Sequence, residues 1–364
     1  MKIAFYCSNE FPYPCPKEII YPPLYPAYNL VEGLVKNGHD VYLFGSKNNK
    51  TKAKNISKGI LSYFEIKEKS DYLLSGSLHN QEMVTLFEQM MASIVLQEAK
   101  KNNIDIIHFF SIPRKTIHFS ELTDIPILYT NHDSKEPRNS FIFKNCPWIK
   151  KINFNSISFA QRKTTPEIKY FYNVYNGIDL TKIKFSNKKE NFLIWVGRIC
   201  PEKGTHTAIK VAKKSGTPLK IIGPKWNKQY FESFEKEIDG KNIQYLGTLS
   251  QKEVFKIIPK AKASLVPIQW EEPFGLTMIE SLAAGTPVIA FDRGSVSEII
   301  QHKKTGFIVK DSKEMIQAVK NIDQINNYDC RKSAEKDFSL EKMVDEYEKL
   351  YKKIINKKIK QNEK

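Results

Sequence analysis

The chain is poor in cysteine and lacks any long apolar run. Its five cysteines, Cys7, Cys15, Cys146, Cys200 and Cys330, form no Cys-x-x-Cys pair and have no histidine at metal-ligand spacing. That argues against a structural zinc site and for reduced thiols in a cytoplasmic protein. No uninterrupted apolar stretch reaches the ~18 residues of a membrane span. The opening MKIAFYCSNE is too short and too soon polar for a signal peptide, and reads as a first buried strand. An Asp-x-Asp metal motif is also missing.

What is present is a globular composition, 41% hydrophobic, 12% aromatic and 27% charged, over 364 residues. That length favours two domains. The formal charge of +17 is the one extreme value. A nucleic-acid partner would need a recognisable binding motif with interleaved aromatics, and none occurs, so no nucleic acid is expected. Lysine-rich solvated faces account for the charge most simply. The C-terminal YKKIINKKIKQNEK, with six lysines against one glutamate, leaves a peripheral contact with an anionic membrane open.

Short apolar runs alternate with helical patterns along the first half: KIAFYC, HDVYLFG, IDIIHFF and IPILYTN as strands, AYNLVEGLVKNG and EMVTLFEQMMASIVLQEAKKNN as helices. The stretch from Tyr170 to Glu190, with Asn-Gly at 176–177 and a charged run, reads as a linker. The alternation then restarts, with strands at NFLIWVG, PLKIIG, IQYLG, ASLVPI and PVIAFD and helices between them, YFESFEKEIDG among these. Continuous apolar strands separated by helices predict parallel sheets covered on both faces. Two such arrays predict two doubly wound α/β domains facing each other across a cleft, with ligands at the carboxyl ends of the strands. The tail from Ser339 is one long helical pattern.

Two stretches carry the chemistry. In WEEPFGLTMIESLAAGTPVIAFDRGSVSEII, Pro273 and Gly275 place Glu272 in a loop and Glu280 about a turn and a half inside a helix. The two are not stacked neighbours, which disfavours a paired general acid and base. The helix opening instead offers free N–H groups at Gly275, Leu276 and Thr277 to an anion, with the glutamates accepting from hydroxyls on either side. In WVGRICPEKGTHTAI a strand ends at Gly197, and Arg198 and Lys203 follow in the loop. A guanidinium fork and a point charge suit two adjacent phosphates. The competing reading pairs Arg198 with a local carboxylate such as Glu202 and leaves Lys203 solvated.

These residues carry a family resemblance. The chain resembles a retaining glycosyltransferase of family 4, with the GT-B fold of two Rossmann-like domains. GRICPEKGTHTAI is similar to the family's diphosphate loop, and EEPFGLTMIESLAAGTPVIAFDRGSVSEII with the later GFIV to its two-glutamate motif. YNGID, IIGP and YLGTLSQKEV also match in order, and NGHDVYLFGS is similar to the end of the family's N-terminal helix and its next strand. PIQWEEPFGLTMIE is similar to a branch containing UDP-glucose-dependent glucosyltransferases.

The resemblance implies domains at 1–172 (acceptor) and 173–338 (nucleotide sugar), and a helix over 339–364 returning to the first domain. It implies that Arg198 and Lys203, after Gly197, hold the donor diphosphate and Glu280 the nucleotide ribose. Glu272 would contact the donor sugar, with Phe274, Gly275, Leu276 and Thr277 adding backbone contacts. Gly223 and Leu246, Gly247, Thr248 and Leu249 would line the base. YTNHD resembles a Thr-x-His motif and makes His132 a contact near the reacting carbon, whereas His108 reads as structural. The implied donor is a nucleotide sugar, UDP-glucose by preference. No metal or other cofactor is expected, since two cations can do a metal's work. The acceptor, whether a small metabolite, a glycan or a lipid, stays open.

One place departs from the family. Its usual Gly-Gly loop before the first helix is here Tyr25, Pro26 and Ala27, which would obstruct close backbone approach. A nucleotide-sugar epimerase or a phosphorylase on the same scaffold, and a non-catalytic sugar-nucleotide or anionic-surface binding protein, are the competing classes.

Overall fold

The computed structural model describes residues 1–16, 23–66, 78–110, 115–132, 137–146, 148–149 and 152–362. The chain forms two compact units. The first comprises Met1–Ile157, Arg162–Val174 and Met343–Lys364, the second Ser158–Gln161 and Tyr175–Lys342.

The first unit is built on seven strands: β1 (Lys2–Tyr6), β2 (Asp40–Phe44), β3 (Lys54–Ile56), β4 (Ile106–Phe109), β5 (Ile127–Thr130), β6 (Asn153–Ser156) and β7 (Tyr170–Asn173). They are ordered β3-β2-β1-β4-β5-β6-β7 and every pairing is parallel. Tyr6, Phe109, Tyr129 and Phe154 stand at matched registers on neighbouring strands. Their rings meet at 6.0, 4.9 and 5.8 Å, an aromatic ladder across one face of the sheet.

Because side chains alternate along a strand, His108 faces away from that ladder. It meets the C-terminal helix Leu340–Asn362. His108 Nδ1 lies 2.7 Å from the Tyr351 hydroxyl and Nε2 2.8 Å from Thr130 Oγ1. The Tyr347 hydroxyl in turn sits 3.0 Å from Thr130 Oγ1 and accepts from Asn155 Nδ2 at 3.1 Å. These polar groups are buried and, apart from Asn155 Oδ1, answer one another, the condition under which such a network is tolerated. His108 is therefore structural, as the sequence indicates.

Two expectations change in this unit. Tyr170–Asn173, read as the start of a linker, is β7, the edge strand beside β6. Tyr25, Pro26 and Ala27 are not a loop but lie in the first turn of the helix Leu24–Lys36. Proline is tolerated there because first-turn N–H groups have no intrahelical acceptor to lose. Pro22, at the start of that stretch, is outside the described residues.

The second unit holds six parallel strands: β8 (Leu193–Val196), β9 (Leu219–Ile222), β10 (Ile243–Tyr245), β11 (Ala263–Val266), β12 (Val288–Phe291) and β13 (Gly306–Val309), ordered β10-β9-β8-β11-β12-β13. YFESFEKEIDG, read as one helix, is the short helix Lys228–Glu232 followed by a 3₁₀ turn at Glu235–Glu237. Both sheets have the doubly wound Rossmann-like order, with a topological switch at β1/β4 and at β8/β11.

Burial holds the His108 imidazole well below its ordinary pKa, so it is neutral in the fold. In the unfolded chain it titrates near ~6.5. The neutral fold is thus at full advantage above that value, and stability declines as pH falls below it, by up to ~1.4 kcal/mol per pH unit. Urea unfolding between pH 7 and 5 should show this slope, and His108→Asn should flatten it; an unchanged slope would contradict the buried neutral assignment.

Candidate active site

The site of the second unit is assembled at the carboxyl ends of β8, β9, β10 and β11. Gly197 follows β8, and its N–H donates to the Ile222 carbonyl at 3.0 Å; Gly223 follows β9 and donates to the Gly247 carbonyl at 2.9 Å. At Gly223, φ is +143° and a Cβ would lie 1.7 Å from the Gly197 carbonyl oxygen. Only glycine permits this approach. Leu246 donates to the Ile221 carbonyl at 2.9 Å, Thr248 is exposed and Leu249 half-buried. The glycines and the segment assigned to the base thus meet along one strand-end row.

Lys203 closes the 3₁₀ turn Pro201–Lys203. Its ammonium pairs with Glu272 Oε2, to which Trp270 Nε1 also donates at 3.0 Å, and it lies 4.9 Å from the Trp270 ring centre. A backbone bond from Gln269 N–H to the Glu202 carbonyl, 2.7 Å, laces the same two loops. Arg198 does not pair with Glu202. Its guanidinium lies 4.8 Å from the ring centre of Trp226 and donates to no protein acceptor among the described residues. Of the competing reading, neither half holds.

Past Glu272 the loop carbonyls are satisfied from outside it. Ser158 Oγ donates to the Pro273 carbonyl at 2.6 Å, and Ser295 Oγ to that of the buried Phe274 at 2.5 Å. Gly275, in the left-handed region at φ +87°, caps the helix Leu276–Ala283. The N–H groups of Gly275, Leu276 and Thr277 have no acceptor among the described residues. They form a donor cluster at the positive end of the helix.

Glu280 is the fifth residue of that helix and does not turn toward Glu272. It is 7% exposed and accepts from Gln251 Nε2 at 3.1 Å, with no cation paired to it among the described residues. Desolvation pushes its pKa up to about 7, against a smaller lowering by Gln251.

His132 belongs to the first unit. Its ring packs 4.2 Å from that of Phe110, and Nε2 is shielded from solvent without a hydrogen-bond partner among the described residues. Burial lowers its pKa to about 3, so the imidazole is neutral. Asp133 of the same motif lies outside the described residues.

Sequence reasoning missed Trp226, Trp270, Gln251 and Gly294. A Cβ at Gly294 would lie 2.4 Å from Glu272 N and 2.3 Å from its carbonyl oxygen, so this glycine after β12 lets the Glu272 loop settle. The signal for it was the turn in DRGS; Trp270 and Gln251 offered none beyond their place in quoted motifs, and Trp226 lies in none of them.

Residues 179–337 match the family of glycosyl transferases group 1. Over 329 residues the chain is 26% identical to an uncharacterized glycosyltransferase of Methanocaldococcus jannaschii, a match covering 83% of this chain and 91% of that protein. Two solved structures share the fold. One is the sucrose-phosphate synthase of Thermosynechococcus elongatus, with a TM-score of 0.76 at 15% identity over 98% of this chain and 99% of that one. The other is Anabaena HepE in complex with UDP and glucose, with a TM-score of 0.70 at 15% identity over 96% and 99%. The chain thus has the two Rossmann-like parallel-sheet units of the GT-B class. The domain in its second unit marks it as a glycosyltransferase.

Glu280 is held against its own stability. Its raised pKa makes its contribution fully present below the unfolded value of ~4.5 and lost as pH rises through about 7. Glu280→Gln should therefore stabilise the unliganded protein at pH 8, by up to ~3 kcal/mol, and change little at pH 5. Equal effects at the two pH values in thermal or urea unfolding would refute the buried-carboxyl assignment.

Proposed function

We propose that this chain is a retaining glycosyltransferase of family 4 that moves a hexose, glucose by preference, from a UDP-linked donor to an acceptor hydroxyl. The observation that carries the proposal is the Lys203–Glu272 pair across the switch point of the second sheet, beside a helix whose first amides, at Gly275, Leu276 and Thr277, have no acceptor among the described residues; Arg198 follows the same strand β8 and has no protein acceptor among them. The wording PIQWEEPFGLTMIE and the likeness to HepE, solved with UDP and glucose, support the choice of donor.

In this reading the donor diphosphate lies on the helix opening at Gly275 and between the two cations. Glu272 accepts from sugar hydroxyls, and Glu280 from the ribose diol. The row at Gly197, Gly223 and Leu246–Leu249 receives the base. The bond from the anomeric carbon to the diphosphate breaks, and the acceptor oxygen bonds to the same face of that carbon. The acceptor proton passes to the leaving phosphate oxygen, so no protein nucleophile takes part. Preorganised positive charge on the leaving group does most of the work. For His132 we propose a neutral imidazole that presents Nε2 to a hydroxyl.

Two features bear on the surroundings. Among the described residues no helix is long and apolar enough to cross a membrane. The exposed lysines Lys352, Lys353, Lys357 and Lys360 of the C-terminal helix support a peripheral contact with an anionic surface, from the cytoplasmic side. A small metabolite, a glycan or a lipid headgroup would each supply the acceptor hydroxyl.

The test is UDP release from UDP-glucose, with products weighed from a panel of acceptors. Arg198→Ala and Lys203→Ala should each lower turnover by ~10²–10³ while both variants stay folded. Chelation should leave the wild type unaffected. Wild-type turnover in either variant would defeat the diphosphate assignment.

A further inference from the structure

The two cations of the site are held in opposite ways. Lys203 is paired with Glu272, whereas Arg198 has an aromatic ring and, among the described residues, no carboxylate. Glu202, exposed and only four residues from Arg198, would be the nearest acid in sequence, yet it contributes its carbonyl to Gln269 rather than a carboxylate to Arg198.

The ring is Trp226, in the loop after β9. It is 62% exposed, unusual for so large an apolar side chain, and the fold has no need of it as core. Its place opposite Arg198 is nonetheless set by the backbone. Ile199, next to Arg198, donates its N–H to the Pro224 carbonyl at 2.9 Å and accepts at its own carbonyl from Asn227 N–H at 3.0 Å. Trp226 N–H donates to the same Pro224 carbonyl at 2.8 Å. Pro224 and Asn227 bracket Trp226, so these bonds bind the two loops in register and bring ring and guanidinium together.

A carboxylate would fix the guanidinium by occupying its N–H donors and cancelling its charge. A ring face attracts the same cation and consumes no donor. The five N–H groups then stay available to phosphate oxygens, and little side-chain ordering remains to be done when an anion arrives.

We propose that Trp226 is the positioning residue of Arg198, orienting its guanidinium toward the second phosphate of a nucleoside diphosphate. This rests on the donor reading above and goes beyond it, since no part of that reading assigns Trp226 a role.

The experiment is a double-mutant cycle on the full chain, read as Kd for UDP and for UMP by calorimetry. Trp226→Ala should weaken UDP by roughly 2- to 30-fold, the range a cation–ring contact spans. UMP, which lacks the second phosphate, should be affected less, and Trp226→Phe should restore most of the loss. In an Arg198→Ala background, Trp226→Ala should have no further effect. If the two substitutions add in full, the ring acts on the nucleotide independently of Arg198 and the proposal fails while the donor reading stands. If the wild type binds neither UDP nor UMP, both fall. Melting temperatures of the variants separate misfolding from weakened binding, and the exposure of Trp226 predicts they will match.

Discussion

The ion pair between Lys203 and Glu272 is the contact on which the second unit's site turns. It joins the loop after β8 to the loop after β11, and these strands neighbour each other at the topological switch. Chain leaves the sheet in diverging directions at such a point, opening a crevice at the strand ends. The pair, with the Gln269–Glu202 backbone bond, fixes the distance across that crevice. Gly294 gives the Glu272 loop room, and Trp270 donates to the same carboxylate oxygen. The helix that begins at Gly275 is thereby aimed from a loop whose carbonyls are already satisfied, leaving only donors facing outward.

Around that pair, charges are kept in states the fold alone would not favour. Among the described residues Arg198 lacks an anionic partner and Glu280 is buried without a cation, its carboxyl pushed to about 7. Removing an ionisable group from water without a counter-charge costs stability. Such groups cluster where a ligand completes them, because natural sites give up stability for binding. His108 makes the contrast. It is equally buried, but every one of its polar atoms is answered by a protein hydroxyl, and it reads as architecture.

The fold was legible in the sequence wherever apolar runs were continuous and cleanly bounded. KIAFYC, HDVYLFG, NFLIWVG and PVIAFD are strands because parallel strands buried on both faces need unbroken apolar residues. The edge strand β7 escaped detection because YFYN is half-exposed and flanked by turn residues. Pro26 misled in the other direction: proline signals loop in general, yet is at home in a helix's first turn. YFESFEKEIDG has a helical pattern but is broken after Glu232 by Ser233 and Phe234, the latter buried into the core.

For the site, residue types and order were readable, and partners were not. Local sequence by itself determined that Glu272 precedes a helix and Glu280 lies within it. Proline and glycine impose backbone conformations regardless of what surrounds them. It also determined that a glycine, an arginine and a lysine follow β8. Tertiary structure alone decided that Lys203 meets a glutamate 69 residues away, that Arg198 meets Trp226, and that His108 meets a tyrosine 243 residues away. Those choices depend on which strand ends the sheet order makes neighbours, and spacing along the chain carries no trace of that.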